Sequence, residues 1–313
     1  MRCWEKIVYN LSDMRCSAVR LVVLCLVALP AVASVRFPVA GHEDSLLPTG
    51  MTFKLVWSDE FDGRTLDAGK WAYRLNMMGQ RHPAWTDRGV ALDGKGNCVF
   101  TLLEEDGRPV SSQLQTGFNF MDEPVKATKF GADHLQWNIG KLHTNLFTHA
   151  FGYWECRCRL QRKPGWWSAF WIQSPIIGAT LDSAVSGTEI DIMESFKPGH
   201  VAAHGIHWAG YGQDHKDAYA GGSDEPIPEA DGDGWHRFGV LWDETGYVFY
   251  IDGREDGRIA GRGVSLRPEF VLISTEAIGY RYKDHQPTPE ARAAVGDTFM
   301  VDYVRVFDTT GRK

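Results

Sequence analysis

Beyond residue 50 the chain is written in short runs, apolar and polar positions changing over every one or two residues, and no stretch carries the spacing of a long amphipathic helix. β-rich runs fall at 98–103, 152–160, 169–173, 189–194, 204–208, 236–242, 247–251, 269–275 and 298–307. Turn signals separate them, among them Asp106-Gly107, the 243–246 stretch Asp-Glu-Thr-Gly, and Asp252-Gly253. Many strands without crossover helices predict an all-β chain of antiparallel sheets, packed as a sandwich or closed as a barrel. No repeat or low-complexity linker divides the later chain, so 51–313 is expected to be a single domain, with 34–50 as an N-terminal linker. Residues 104–139 and 209–234 are polar and irregular; loops of that length are expected to form functional rims.

The start of the chain has a different pattern. Arg15 and Arg20 precede an apolar run from Leu21 to Leu29, then Pro30 and the small residues Ala31-Val32-Ala33-Ser34. This is the order of a secretory signal, so 1–33 is expected to be removed and the protein to be secreted, extracellular or periplasmic. The run is too short to predict a membrane span.

The 313 residues are 43% hydrophobic, enough to bury a sizeable core, and carry a formal charge of −7. Residues 1–33 hold four basic and two acidic side chains, so the chain without them is more negative still. That balance disfavours general nucleic-acid binding. Cys98, Cys156 and Cys158 remain after the signal. Cys156 and Cys158 are two apart on a predicted strand, a poor disulfide geometry, and all three are expected to be buried small hydrophobes.

Candidate chemistry concentrates in Glu189-Ile-Asp-Ile-Met-Glu194. Strand alternation puts Glu189 and Asp191 on one face and Ile190 and Ile192 on the other. Regular alternation would then send Glu194 in among the isoleucines, where a lone carboxylate is costly. One extra residue near Ile192-Met193, a β-bulge, returns Glu194 to the acidic face. Exposed, three such acids are only a charged surface. In a cleft their proton affinities must split, one ionised and another holding a proton. Retaining glycoside hydrolysis uses that division, with carboxyl groups roughly 5–5.5 Å apart.

These residues resemble the signature of glycoside hydrolase family 16 in its bulged form, and other stretches agree in order. Trp57-Ser-Asp-Glu-Phe-Asp-Gly with Lys70-Trp71 is similar to the family's start. Phe151-Gly-Tyr-Trp-Glu-Cys-Arg-Cys-Arg-Leu and Pro164-Gly-Trp-Trp-Ser-Ala-Phe-Trp171 resemble the two strands before the acidic one. Trp235-His-Arg-Phe-Gly-Val-Leu-Trp, Tyr250-Ile-Asp-Gly and Asp302-Tyr-Val-Arg-Val-Phe resemble later strands. The resemblance implies a jelly-roll β-sandwich with a concave substrate cleft. It also implies a retaining endo-acting hydrolase of a β-glucan or galactan, with Glu189 as nucleophile, Asp191 as its assistant and Glu194 as acid/base. A transglycosylase on the same site and a non-catalytic sugar-binding jelly roll are the alternatives. The partner is a polysaccharide, and the protein is expected to be a monomer.

Sugar rings stack on aromatic faces. Trp167, Ala169 and Trp171 share one strand face, while Trp166, Ser168 and Phe170 take the other. The resemblance places Trp171 in the cleft and His207 near the acid/base; Trp167 is a weaker candidate. Trp85, Trp137 and Tyr211 lie in expected rim loops, as sugar platforms or as ordinary packing. Two departures weaken a laminarin assignment. The 183–188 loop lacks a Trp, and 79–85 lacks the Asn-Glu-x-Gln-x-Tyr pattern of many β-1,3-glucan-cleaving members. Arg74, Arg81, Arg88, Lys126, Lys129 and Lys141 could serve a sulfated galactan, but scattered surface cations are the favoured explanation. Catalysis needs no cofactor. The resemblance also implies one structural Ca²⁺, with Asp302 and Glu60 as its carboxylate ligands.

Overall fold

A computed structural model describes residues 34–77, 80–119, 122, 144–223, 225–227, 233–281 and 285–312. The expected signal segment, Trp137, Lys126, Lys129 and Lys141 lie outside the described residues. The fold is a jelly-roll β-sandwich of two large antiparallel sheets, with two short helices among the described residues, Ser183–Ser186 and Pro289–Ala293.

The seven-stranded sheet runs, edge to edge, through Lys216–Ala220, His204–Trp208, the acidic strand Glu189–Ser195, the tryptophan strand Trp166–Gln173, Phe270–Ala277, Gln113–Gln115 and Ala72–Tyr73. The eight-stranded sheet runs through Arg254–Ala260, Gly246–Ile251, Trp235–Asp243, Gly152–Arg159, Thr298–Arg312, Cys98–Thr101 and Val90–Leu92. Met51–Asp59 also pairs with Thr298–Arg312.

The core lies between the sheets and follows the alternation of both. Phe170, Ile172, Ile190, Ile206 and Ile273 face Trp154, Phe238, Val240, Trp242 and Val304, all fully buried. Each such side chain contributes about 1.5–3 kcal/mol when removed from water. The buried tryptophans keep their N–H groups satisfied. Trp154 donates to the Phe151 carbonyl (2.9 Å), Trp166 to Asp297 (3.0 Å) and Trp242 to the Ser265 carbonyl (3.0 Å). The Trp57–Gly63 motif acts as an anchor. Its Asp59 accepts from the Trp71 indole (2.7 Å) and the Phe61 amide (3.2 Å). Cys98, Cys156 and Cys158 are free and buried, as expected.

Two expectations need correction. Residues 34–50 are not a linker. Val35–Phe37 and Ser45–Leu47 form an antiparallel pair over the outer face of the eight-stranded sheet, where Leu47 joins Tyr153, Leu241 and Phe307 in a second apolar cluster. Ser45 and Leu47 are buried because they cover residues of Gly152–Arg159 that alternate away from the main core. The 104–139 and 209–234 stretches, both expected to be irregular, contain Gln113–Gln115 and Lys216–Ala220, two strands of the seven-stranded sheet.

Candidate active site

A cleft of about 440 Å³ lies on the seven-stranded sheet, and that sheet's strands or the residues next to them supply most of its lining. Glu189, Asp191 and Glu194 all line it. The bulge that puts them there is visible in the register. Phe170 pairs with Met193, but its neighbour Trp171 pairs with Asp191, leaving Ile192 as the extra residue. Ile192 and Met193 are both fully buried in the core, so the double apolar step is spent inward and Glu194 emerges outward. The widened backbone is held at two points by the neighbouring His204–Trp208 strand and its lead-in. His204 Nδ1 bonds the Ile192 carbonyl (2.7 Å), and the Ala202 amide donates to the Glu194 carbonyl (2.8 Å). The other His204 nitrogen reaches Asp256 of the opposite sheet (3.1 Å). Gly187 ends the short helix before this strand at φ 75°, and a Cβ there would stand 2.3 Å from Ser174 Cβ. Only glycine fits that approach.

The three acids sit in different settings. Glu189 Oε2 accepts from Gln173 Nε2 (2.8 Å) and from the Tyr211 hydroxyl (2.5 Å). Gln173 also contacts Tyr211 and receives a hydrogen bond from Asn119, so the donors are themselves braced. Burial, then the Asp191 charge, pushes the Glu189 carboxyl up to about 7, against the pull of His207, the Tyr211 hydrogen bond and Arg74. Burial, then the charges of Asp191 and Glu189, pushes Glu194 up to about 8. Asp191 is 7% exposed and pairs with His207 Nε2 at 3.2 Å. Burial opposes protonation of His207, but that hydrogen bond and the Asp191 charge outweigh it and raise the imidazole to about 9. Its Nδ1 lies 2.9 Å from Nε2 of His215, whose own affinity for a proton is lowered by burial and by His207. Both nitrogens of His207 are thus engaged, Nε2 with Asp191 and Nδ1 with His215. Chemically, the cleft offers a hydrogen-bonded carboxylate beside one that is harder to ionise.

The aromatic wall follows the strand alternation. Trp167, Ala169 and Trp171 line the cleft, whereas Trp166, Ser168 and Phe170 are fully buried beneath it. Trp171 is fixed by a hydrogen bond to Ser274 (2.9 Å) and by the Arg74 guanidinium 5.5 Å from its ring centre. Arg281, paired in fork fashion with Glu276 (3.0 Å), lies 5.0 Å from the Trp167 ring centre. Tyr211 lines the cleft, but as a hydrogen-bond donor to Glu189 as well as a ring. Trp85 also borders the cleft, yet it is not on an open rim. It is 3% exposed, stacked on His82 and bonded to Glu276 (3.1 Å), because Trp85 bridges to Ser111 beneath the loop.

Arg74 is not a scattered surface cation: it is 3% exposed and borders the cleft. Arg88, by contrast, is exposed and paired with Glu105. Gln173, Arg281 and His215 carry no sequence signal of their own. Glu60 and Asp302, the expected Ca²⁺ ligands, are each paired with an arginine. Glu60 accepts from two Arg305 nitrogens (2.7 and 3.0 Å) and Asp302 from Arg157 (2.8 Å).

An antiparallel two-sheet sandwich with an acid- and tryptophan-lined cleft across one sheet belongs to the jelly-roll class. Among solved structures it is similar to a non-specific endo-β-1,3(4)-glucanase from family 16, with a TM-score of 0.57, 21% identity and coverage of 89% of this chain and 96% of that one. It is also similar to a laminarinase from Flavobacterium sp. UMI-01, with a TM-score of 0.55, 19% identity and coverage of 82% and 100%. The family model for glycosyl hydrolases family 16 matches residues 94–260, and the chain belongs to that family. A glucan endo-1,3-beta-glucosidase A1 of Niallia circulans is 27% identical over 272 residues, covering 81% of this chain. The chain spans 37% of that relative's length. A glucan endo-1,3-beta-glucosidase of Cryptopygus antarcticus is 26% identical over 271 residues, covering 80% of this chain and 90% of the relative.

Proposed function

We propose that the protein is a secreted, endo-acting, retaining hydrolase of β-glucan containing 1,3 linkages. The observation that carries this is the Ile192 bulge, which puts three unlike carboxylates on one cleft wall. Glu189, held by two donors, attacks the anomeric carbon and forms a glycosyl ester as the glycosidic bond breaks. Glu194, the acid with the higher proton affinity, protonates the departing oxygen. Glu194 then takes a proton from water, which cleaves the ester and frees Glu189. Asp191, tied to the His207 cation, sits between them and steadies the charge. Trp171 and Trp167 present ring faces to the sugars.

The choice of glucan rests on the named relatives and runs against the two sequence departures at 79–85 and 183–188. Secretion rests on the pattern of residues 1–33. The experiment is product analysis on laminarin, mixed-linkage glucan, agarose, porphyran and carrageenan, with trapping by a fluorinated glycoside. Oligosaccharides from laminarin or mixed-linkage glucan, and a sugar ester on Glu189, are expected. Cleavage of a galactan alone would overturn the glucan assignment. Undiminished turnover by Glu189→Gln would overturn the mechanism.

A further inference from the structure

His207 and His215 bring two imidazole nitrogens to 2.9 Å, and the Asp217 carboxylate completes a group whose ligand atoms all lie within 4.8 Å of one another. The three come from one strand pair: His207 is the register partner of Asp217, and His215 lies just before the Lys216–Ala220 strand. This juxtaposition therefore follows from the sheet edge itself. Two imidazoles and a carboxylate are the donor set of Zn²⁺ and its borderline neighbours, not of Ca²⁺ or Mg²⁺. The far side of His207 strengthens the case. Its Nε2 faces Asp191 at 3.2 Å, so the ring can ligate through Nδ1 while donating Nε2–H to a carboxylate. Histidine ligands are commonly oriented and made more basic in that way.

From this we propose that His207 Nδ1, His215 Nε2 and Asp217 form a binding site for a divalent transition metal of the zinc class. The cation sits between the two rings, on Nδ1 of the imidazole whose Nε2 faces Asp191 at 3.2 Å. Asp191, on the catalytic strand, then faces a metal-bound ring. Occupancy thereby reaches the catalytic strand, and the cation acts as a reversible inhibitor of the proposed hydrolysis.

The test uses the full chain with Zn²⁺ by calorimetry and Co²⁺ by visible absorption. One equivalent of Zn²⁺ and the bands of four-coordinate Co²⁺ are expected. His215→Ala and Asp217→Asn should each weaken binding more than about tenfold, as Asp191→Asn should from outside the ligand set. In the activity arm, which rests on the proposed function, Zn²⁺ inhibits the wild type and a chelator restores it. Asp217→Asn hydrolyses as fast as the wild type but resists the metal. No saturable binding, or His215→Ala and Asp217→Asn binding as tightly as the wild type, overturns the site. A chain that binds Zn²⁺ as described but cleaves no glycan leaves the site standing and removes the hydrolase assignment.

Discussion

Glu194 makes no hydrogen bond to another described side chain, while Glu189 has two donors on one oxygen. That contrast favours the charged form of Glu189 over that of Glu194. In the proposed reaction Glu189 must be ionised and Glu194 protonated. Activity should rise as pH climbs through about 7, where Glu189 loses its proton, and fall through about 8, where Glu194 loses its own. The expected profile of kcat/KM is a narrow bell whose limbs belong to the coupled pair. Tyr211→Phe removes a donor that favours the charged Glu189, so the acid limb should move to higher pH. Acid-side activity should drop about tenfold, the worth of a hydrogen bond to a charged group, with little change on the alkaline limb. A pH–rate profile of the two proteins checks both statements. Glu194→Ala should lose most activity on natural glucan and recover part of it with azide or an activated leaving group, as assayed by product release.

At the scale of elements, the acidic strand depends on one inserted residue and one histidine. Deleting Ile192 would restore plain alternation and turn Glu194 toward the fully buried isoleucines. The variant should lose activity and several kcal/mol of stability, about the cost of burying an unpaired polar or charged group. His204→Ala leaves the Ile192 carbonyl without its 2.7 Å partner and should cost about 1–3 kcal/mol in a denaturant titration. The bulge was legible beforehand because Ile192-Met193 breaks a strict period of two, and the runs with that period all became strands. Arg254–Ala260 and Lys216–Ala220 were not legible. Both are edge strands rich in exposed polar residues, and an edge has a solvent side that needs no apolar alternation. Arg74 and Arg281 were unreadable as cleft residues for a different reason. A cation beside a strand has no period, and only tertiary packing against Trp171 and Trp167 locates it. The arginines paired with Glu60 and Asp302 were not legible either, because sequence order shows an acid but not the cation opposite it.

Across the molecule, the 34–50 segment closes the sheet that bears no catalytic acid. It stitches polar as well as apolar groups: Leu46 N donates to the buried Glu155 (3.0 Å), and Arg305 donates to the Glu43 carbonyl (2.7 Å) and Ser45 (2.9 Å). Phe37 packs edge-on to Phe307 at 5.1 Å. A chain truncated to begin at Met51 should be less stable by at least about 3 kcal/mol, from the loss of Phe37 and Leu47 burial alone. Thermal and denaturant unfolding would measure this. The three cysteines have a practical consequence of their own. Cys98, Cys156 and Cys158 are wholly shielded between the sheets, and burial holds the Cys98 and Cys156 thiols far from ionisation. An alkylating reagent can tag them only when the sandwich parts. Mass spectrometry that follows tagging of these positions is thus a clock for whole-domain opening, ticking at one rate for all three if the layers separate as a unit.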